Sequence, residues 1–489
     1  MKTTRAIMTL LGAFVVMAGG CAEVPFPDIT NGQGEMAGEV TTTSVILQSR
    51  LTVGSELVEG DVPGAAGMAH FELSTTSGFA DSFESDWMTA RPDYDYIVKT
   101  KIDGLNPGTR YYYRLVYGPD QDLVRAGPTR TFETLDGADV ASEVSFVVVT
   151  GMNYNAFQRA YEGPDKALGY PALATILDMR PDFFVGTGDN VYYDSGGSPA
   201  STPAELRQKW HQQFVQRRYA DMFAEVPTYW EKDDHDYRFN DSDNTDESTN
   251  PAAGPEPSVE LGIATFLEQV PVADPAAPNP VTYRTHRVNQ DLQIWLVEGR
   301  DYRSPNAMLD APDKTLWGAE QLAWLERTLL ESEATFKVLI SPTPLIGPDD
   351  LELQVSYGGL KRDNHSNPTG FMYERDAFFA TLIDSGFLED QNFYIITGDR
   401  HWQYHSIHPT GFEEFSSGAL VDGNSRLGRN PGDPESTDPD ALIVQPYTQT
   451  EASGGFLHVT VSPGVQPTAT FRFYDERGVL LHTVEKVAR

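Results

Sequence analysis

The sequence predicts an α/β layered body whose strands alternate with helices, preceded by a smaller all-β domain. Three observations carry this prediction. Continuous apolar runs at Val144 to Thr150 and Phe183 to Gly186 read as strands buried on both faces. Amphipathic stretches of helical period follow such runs, as at Pro203 to Phe223. Ahead of residue 137 the texture differs, with short Tyr- and Val-rich runs between turn residues and no helical period.

The chain begins with Lys2 and Arg5, then a nearly wholly apolar Ala6 to Ala18, then Gly19-Gly20-Cys21. The run is too short to span a bilayer and fits an export signal over residues 1–21. Cys21 is the only cysteine among 489 residues, and its place resembles the lipobox of bacterial lipoproteins, with Ala18 where Leu is common. The expectation is an exported protein, either a periplasmic or outer-membrane (cell-surface) lipoprotein or a secreted protein. It would touch a membrane only through an N-terminal lipid anchor. Beyond Cys21 no disulfide and no thiolate metal ligand is available. Residues 22–35, rich in Pro and Gly, read as a linker.

Residues 36–136 carry the all-β pattern. Ser44 to Val53 alternates, with Val45, Leu47, Ser49 and Leu51 on one side. Further strands are expected at His70 to Ser74, Tyr94 to Ile102, Arg110 to Tyr117 and Thr129 to Thr134. The string from Leu105 to Leu115 resembles those of immunoglobulin- and fibronectin-III-like modules, which implies a β-sandwich. Such a module would bind a polymer or serve as a spacer or lid.

Residues 137–489 read as the α/β body. Helices are expected at Tyr170 to Met179, Pro203 to Phe223 as one piece, Ala319 to Ser332 and Asp376 to Ser385. Strands are expected at Thr228 to Trp230, Leu292 to Val297, Lys337 to Ser341, Phe393 to Thr397, Phe456 to Val461 and Thr468 to Tyr474. The polar stretch 424–440 reads as surface loop. In such a body, ligands bind at the C-terminal ends of the strands.

The formal charge of −35 argues against binding a nucleic-acid backbone, which needs clustered Lys and Arg. An anionic substrate would instead require local positive charge, such as metal ions. Three polar clusters, each following an apolar strand, supply a place for such ions. They are Gly188-Asp189-Asn190-Val191-Tyr192-Tyr193-Asp194, Asp233-Asp234-His235-Asp236 with trailing Asn240-Asp241, and Gly398-Asp399-Arg400-His401. One Asp after a strand is usually a turn residue. Three clusters converging at strand ends form a donor set for hard or borderline cations.

This order of motifs resembles the alkaline phosphatase D (PhoD-like) family of calcineurin-like metallophosphoesterases. The resemblance implies a layered β-sandwich flanked by helices, and a metal-dependent hydrolase of phosphate mono- or diesters that uses a metal-bound hydroxide. It implies two or more divalent or trivalent metal ions, with Asp189 bridging, and Tyr192, Asp234, Asp399 and His401 as further ligands. His235 would act as acid or transition-state donor, and Arg300 would hold the phosphate, for which its planar fork is suited. Members of the best-known type carry a Ser-Cys pair after the first strand, whose thiolate ligates ferric iron. Here the place reads Thr150-Gly151-Met152-Asn153. Asn153 could offer an amide oxygen to metal or substrate instead. Calcium is then the expected ion, with iron, manganese or zinc as alternatives. His365, within Asp363-Asn364-His365-Ser366-Asn367, is a candidate substrate contact or a loop cap, and His405 and His408 stand on the same footing. Two other readings stay open, a hydrolase of sulfate or other oxyanion esters and a non-catalytic surface protein that holds calcium.

Overall fold

The computed structural model describes residues 28–197, 199–245, 254–351 and 362–489. The export segment and Cys21 lie outside the described residues, and no described helix is long and apolar enough to cross a membrane.

Two sheets dominate. The first has nine strands and is centred on Val144–Val149, Phe183–Thr187 and Thr228–Glu231, which run parallel. On one side it continues antiparallel through Gly455–Ser462, Thr468–Asp475 and Leu480–Val487. The second has seven strands, with Leu292–Leu296, Phe336–Ser341 and Asn392–Thr397 parallel at its centre. Alternation along each strand decides the layering. Phe146, Val148, Phe183 and Val185 of the first sheet share one core with Ile294, Val338, Ile340 and Phe415 of the second. Phe415 stacks on Phe471 across the two sheets at 4.1 Å. The opposite faces turn outward onto helices. Val147, Val149 and Phe184 pack against Leu173, Ile176, Leu206 and Trp210, while Leu339 and Ile395 pack against Leu325 and Phe378. Each such fully buried side chain contributes roughly 1.5–3 kcal/mol of transfer free energy. The result is a mixed α/β sandwich of two sheets flanked by helices.

The stretch expected as one helix from Pro203 to Phe223 is two, Pro203–Phe214 and Arg217–Phe223. Gln216 takes an extended ψ of 128° and its side-chain amide bonds the Gln213 carbonyl at 3.0 Å. The break turns Tyr219 and Phe223 into the same core as Trp210. The first piece starts on a capping box of Thr202 and Glu205 with Pro203 in its first turn. The helix Val259–Gln269 was not expected from the pattern, and the strands Gln403–Ile407 and Glu413–Ser417 lie in the β-patterned last hundred residues without having been singled out. The linker is shorter than the composition implied: Thr30 already exchanges backbone hydrogen bonds with Thr52 at 2.8 Å.

The N-terminal strands do not form a detached bead. Glu35–Gly38, Ser44–Arg50 and Ile97–Asp103 extend the nine-stranded sheet, with Gly38 opposite Thr228, while Gly67–Ser74 and Arg110–Gly118 belong to a separate six-stranded sheet. Buried polar contacts reinforce this junction. Lys99 Nζ donates to the carbonyls of Leu267, Glu268 and Val270 at the end of a helix of the main body, at 2.7–2.9 Å. His211 meets Asp61 at 2.5 Å through Nδ1 and Asp95 at 2.6 Å through Nε2. These contacts pack the N-terminal strands against the main body.

Candidate metal centre

The site forms where parallel strands of both sheets end side by side. Phe183–Thr187 leads into Asp189 and Thr228–Glu231 into Asp233 and Asp234, both from the first sheet. Asn392–Thr397 leads into Asp399 and His401 from the second. Gly398 permits this junction, because a Cβ there would lie 2.4 Å from the Thr187 carbonyl oxygen. Asp189, Asp241 and Asp399 all adopt a left-handed backbone, with φ of 54°, 56° and 57°. Non-glycine residues hold that conformation at a cost, and the cost is tolerated where it aims a functional side chain.

Asp189 is the hub. Its Oδ2 accepts from the Tyr192 hydroxyl at 2.7 Å and lies 3.3 Å from His401 Nε2, and the Tyr192 oxygen is itself 3.1 Å from that nitrogen. On its other side, Asp189, Asp234 and His235 each offer one ligand atom within 4.8 Å of one another, and so do Asp234, Asp241 and Asp363. Asp234 belongs to both groups. The Tyr192 ring leans over the His235 ring at 4.1 Å. His235 Nδ1 is held by Asp194 at 2.7 Å, which leaves its Nε2 for a substrate or a metal.

The electrostatics fit a cation. Asp189 is buried and its Oδ1 has no hydrogen-bond donor. Burial first, and the neighbouring Asp234, Asp233 and Asp236 carboxylates next, push the Asp189 carboxyl well above its usual range despite His235. Burial also raises Asp234, but His235 and Arg300 outweigh it and bring the carboxyl down. For His235, burial favours the neutral ring, yet Asp194, Asp234 and Asp189 together raise it well above its usual value. Several acids packed at this density carry a desolvation penalty of several kcal/mol, which bound cations would relieve. Carboxylate, phenol and imidazole donors are the types that hard and borderline metals take.

Among the expected site residues, Asp189, Tyr192, Asp234, His235 and His401 gather within this one locus. Arg300 and Asn153 turn to other partners than expected, and His365 takes a structural place rather than that of a substrate contact. Arg300 is fully buried, and its guanidinium is turned to Asp233, bonding Oδ1 through Nε at 2.7 Å and through Nη2, with Nη1 on the Ser242 carbonyl at 3.0 Å. It braces carboxylates rather than facing a phosphate. Asn153 spends its Oδ1 capping the following helix at Ala156 N–H, 2.9 Å, and accepting from Ser195 at 3.2 Å, so that oxygen is not aimed at a metal. His365 is buried against Trp317, with Nε2 on Glu374 at 2.9 Å, and works as a packed structural histidine. Asp399 follows the same strand end as His401, close enough to Asp233 to raise its carboxyl, and one of its oxygens pairs with Arg400 at 2.7 Å. His405 bonds Glu413 at 2.6 Å and His408 bonds Thr410 at 2.7 Å, both away from the cluster.

Sequence reasoning gave no role to Asp194, Asp241, Asp363 or Asn424. The first three sat inside polar strings already singled out, but only geometry separates a ligand from a cap there. Asn424 stood in a stretch read as surface loop, and its Nδ2 donates to the Tyr192 oxygen at 2.8 Å.

Comparison with known proteins gives the family and the fold. The PhoD-like phosphatase family matches residues 146–452, and the N-terminal domain of PhoD-like phosphatases matches residues 25–133. Alkaline phosphatase D of Bacillus subtilis (strain 168) is 24% identical over 508 aligned residues, spanning 97% of this chain and 82% of that protein. A solved structure of PhoD superposes with a TM-score of 0.71 at 19% identity, covering 95% of this chain and 90% of that one. A purple acid phosphatase from yellow lupin (Lupinus luteus) seeds superposes with a TM-score of 0.57 at 11% identity, covering 94% and 74%. At these identities the two structures speak for a shared fold.

Proposed function

Because this chain belongs to the PhoD-like phosphatase family and is a metal-dependent phosphatase of that class, we propose that it hydrolyses phosphoric mono- or diesters at the locus around Asp189. The observation that carries this reading is the meeting of Asp189 from one sheet with His401 from the other over a shared Tyr192. In this reading Asp189, Tyr192 and His401 would hold one cation, and Asp189 and Asp234, with Asp241 and Asp363 beside Asp234, would offer carboxylates to another. Bound cations would polarise the ester and lower the pKa of water towards neutrality.

The chain's own residues supply the rest. His235, oriented by Asp194, faces the same space as Asp189 and Asp234, where it can donate to a phosphoryl or leaving-group oxygen. Arg300 balances Asp233, Asp234 and Asp363, keeping Asp234 ionised for a metal. The donor set lacks a thiolate, so calcium, manganese or zinc suits it better than a thiolate-bound iron. The apolar run before Cys21 supports export, and the N-terminal strands support an immunoglobulin- or fibronectin-III-like origin for that domain.

Chelator-stripped protein, reloaded with one metal at a time, tests the proposal when offered phosphate monoester, phosphate diester and sulfate ester chromogens. Metal-restored turnover of a phosphate ester is the expected result. Turnover confined to the sulfate ester would move the assignment to another oxyanion, and no turnover with any metal would refute it.

A further inference from the structure

The place where a side-chain ligand would follow the first strand is sealed in this chain. Gly151 has a φ of 65°, and a Cβ built on it would lie 2.7 Å from Ala419 Cβ and 2.9 Å from Ala419 Cα. Ala419 is held there by backbone pairing, with Thr150 opposite Ala419 and Leu420 N–H on the Thr150 carbonyl at 2.8 Å. Three residues on, a 3-10 turn over Asp422–Asn424 begins and returns the chain to the same spot. Asn424 Nδ2 donates to the Gly151 carbonyl at 3.1 Å and to the Tyr192 oxygen at 2.8 Å, and its Oδ1 accepts from Asn153 at 3.4 Å. The amide orientation is fixed by chemistry. A carbonyl can only accept, so the atom facing Gly151 must be nitrogen, and that same nitrogen faces Tyr192.

We propose that Asn424 is the positioning residue of the Tyr192 side of the metal centre, anchoring the phenol oxygen where position 151 has no room for a ligand of its own. The hydrogen bond from Asn424 holds one flank of that oxygen, so its other flank is turned to Asp189 Oδ2 and His401 Nε2. Groups that orient a metal ligand in this way commonly change metal affinity by roughly 10–100-fold when removed. The anchor also ties a loop of the second sheet to a loop of the first across the site, through Gly151 on one side and Tyr192 on the other.

This inference rests on the reading of Tyr192 as a metal ligand, and a double-mutant cycle on metal affinity separates the two. Manganese and calcium dissociation constants are measured by calorimetric titration for the native protein, Asn424→Ala, Tyr192→Phe and the double variant. Thermal unfolding of each in the metal-free form reports folding. The expected result is that each single change weakens affinity roughly 10–100-fold, and that Asn424→Ala adds nothing once Tyr192 is Phe. A purely structural asparagine would instead give additive losses, or unchanged affinity with a lower unfolding temperature, and either overturns the proposal. If Tyr192→Phe itself leaves affinity unchanged, the ligand reading fails and the anchor has no function. Should Asn424→Ala not fold, Asn424→Leu fills the same volume without a donor and carries the same cycle.

Discussion

The His235 imidazole meets the Asp194 carboxylate at 2.7 Å, and Asp194 also accepts from the Asn240 N–H at 2.9 Å. One carboxylate thus fixes both the ring beside the metal ligands and the loop that follows it. If His235 donates to the reacting phosphate, His235→Asn should lower kcat roughly 100-fold or more, with little change in KM. Asp194→Asn, which keeps the ring but loosens its orientation, should lose less. Steady-state kinetics on a phosphate diester check this, and native turnover in His235→Asn would remove the residue from the chemistry.

Gly151 and Ala419 make a second prediction. Gly151→Ala places a methyl group 2.7 Å from Ala419 Cβ at a φ of 65°. The combined overpacking and strain should cost about 2 kcal/mol or more. Ala419→Gly in the same chain should recover part of that loss. Urea denaturation of the native chain and the two variants decides, and an unchanged midpoint for Gly151→Ala would show that the neighbouring loop yields freely.

Arg300 was expected to hold the phosphate, and the structure turns it to Asp233 instead. If it balances buried carboxylates, Arg300→Ala leaves Asp233 and Asp363 without their counter-charge and should destabilise the metal-free protein by about 3–5 kcal/mol. Bound metal should offset part of that, so the gap in unfolding temperature between metal-loaded and chelated protein widens. An undiminished stability with a raised KM would point instead to direct phosphate binding.

The strand ends were legible because fully buried strands write continuous apolar runs, and the three Asp- and His-bearing strings follow such runs directly. The strings that hold Asp189, Tyr192, Asp234 and His401 stood out for that reason, while the role of each residue within them came only from the family resemblance. Asn153 and Arg300 misled, and His365 stayed open between two readings, because a polar residue near a site can equally cap a helix, balance a charge or pack beneath a loop, and sequence spacing is blind to which way a side chain turns. Asn424 left no trace, since its contact with Tyr192 spans more than two hundred positions of chain. The strands Gln403–Ile407 and Glu413–Ser417 were hidden by buried polar residues such as Glu414, which accepts backbone N–H groups of Leu345, Ile346 and Gly347.

The seam between the N-terminal strands and the main body should respond to acid. Burial raises the Asp95 carboxyl, but the His211 contact and the Arg50 charge win and hold it down from 3.8 to about 2. A depressed carboxyl stabilises the fold above its unfolded value and loses that contribution as pH falls through the folded one. The shift corresponds to about 2 kcal/mol at neutral pH, fading between about pH 4 and pH 2. Asp95→Asn should therefore be less stable than the native chain at pH 7 and approach it at pH 2 to 3. Denaturation at several pH values checks the sign, and a gap independent of pH would contradict it.

The most direct measurement is an anomalous scattering map of crystals of the metal-loaded protein, recorded at the absorption edges of manganese, iron and zinc and, for calcium, at long wavelength. A peak within about 2.0–2.6 Å of carboxylate, phenol or imidazole donors of Asp189, Tyr192 and His401, with a second beside Asp234, is predicted. A fully loaded, active protein whose peaks lie away from Asp189 would contradict the account.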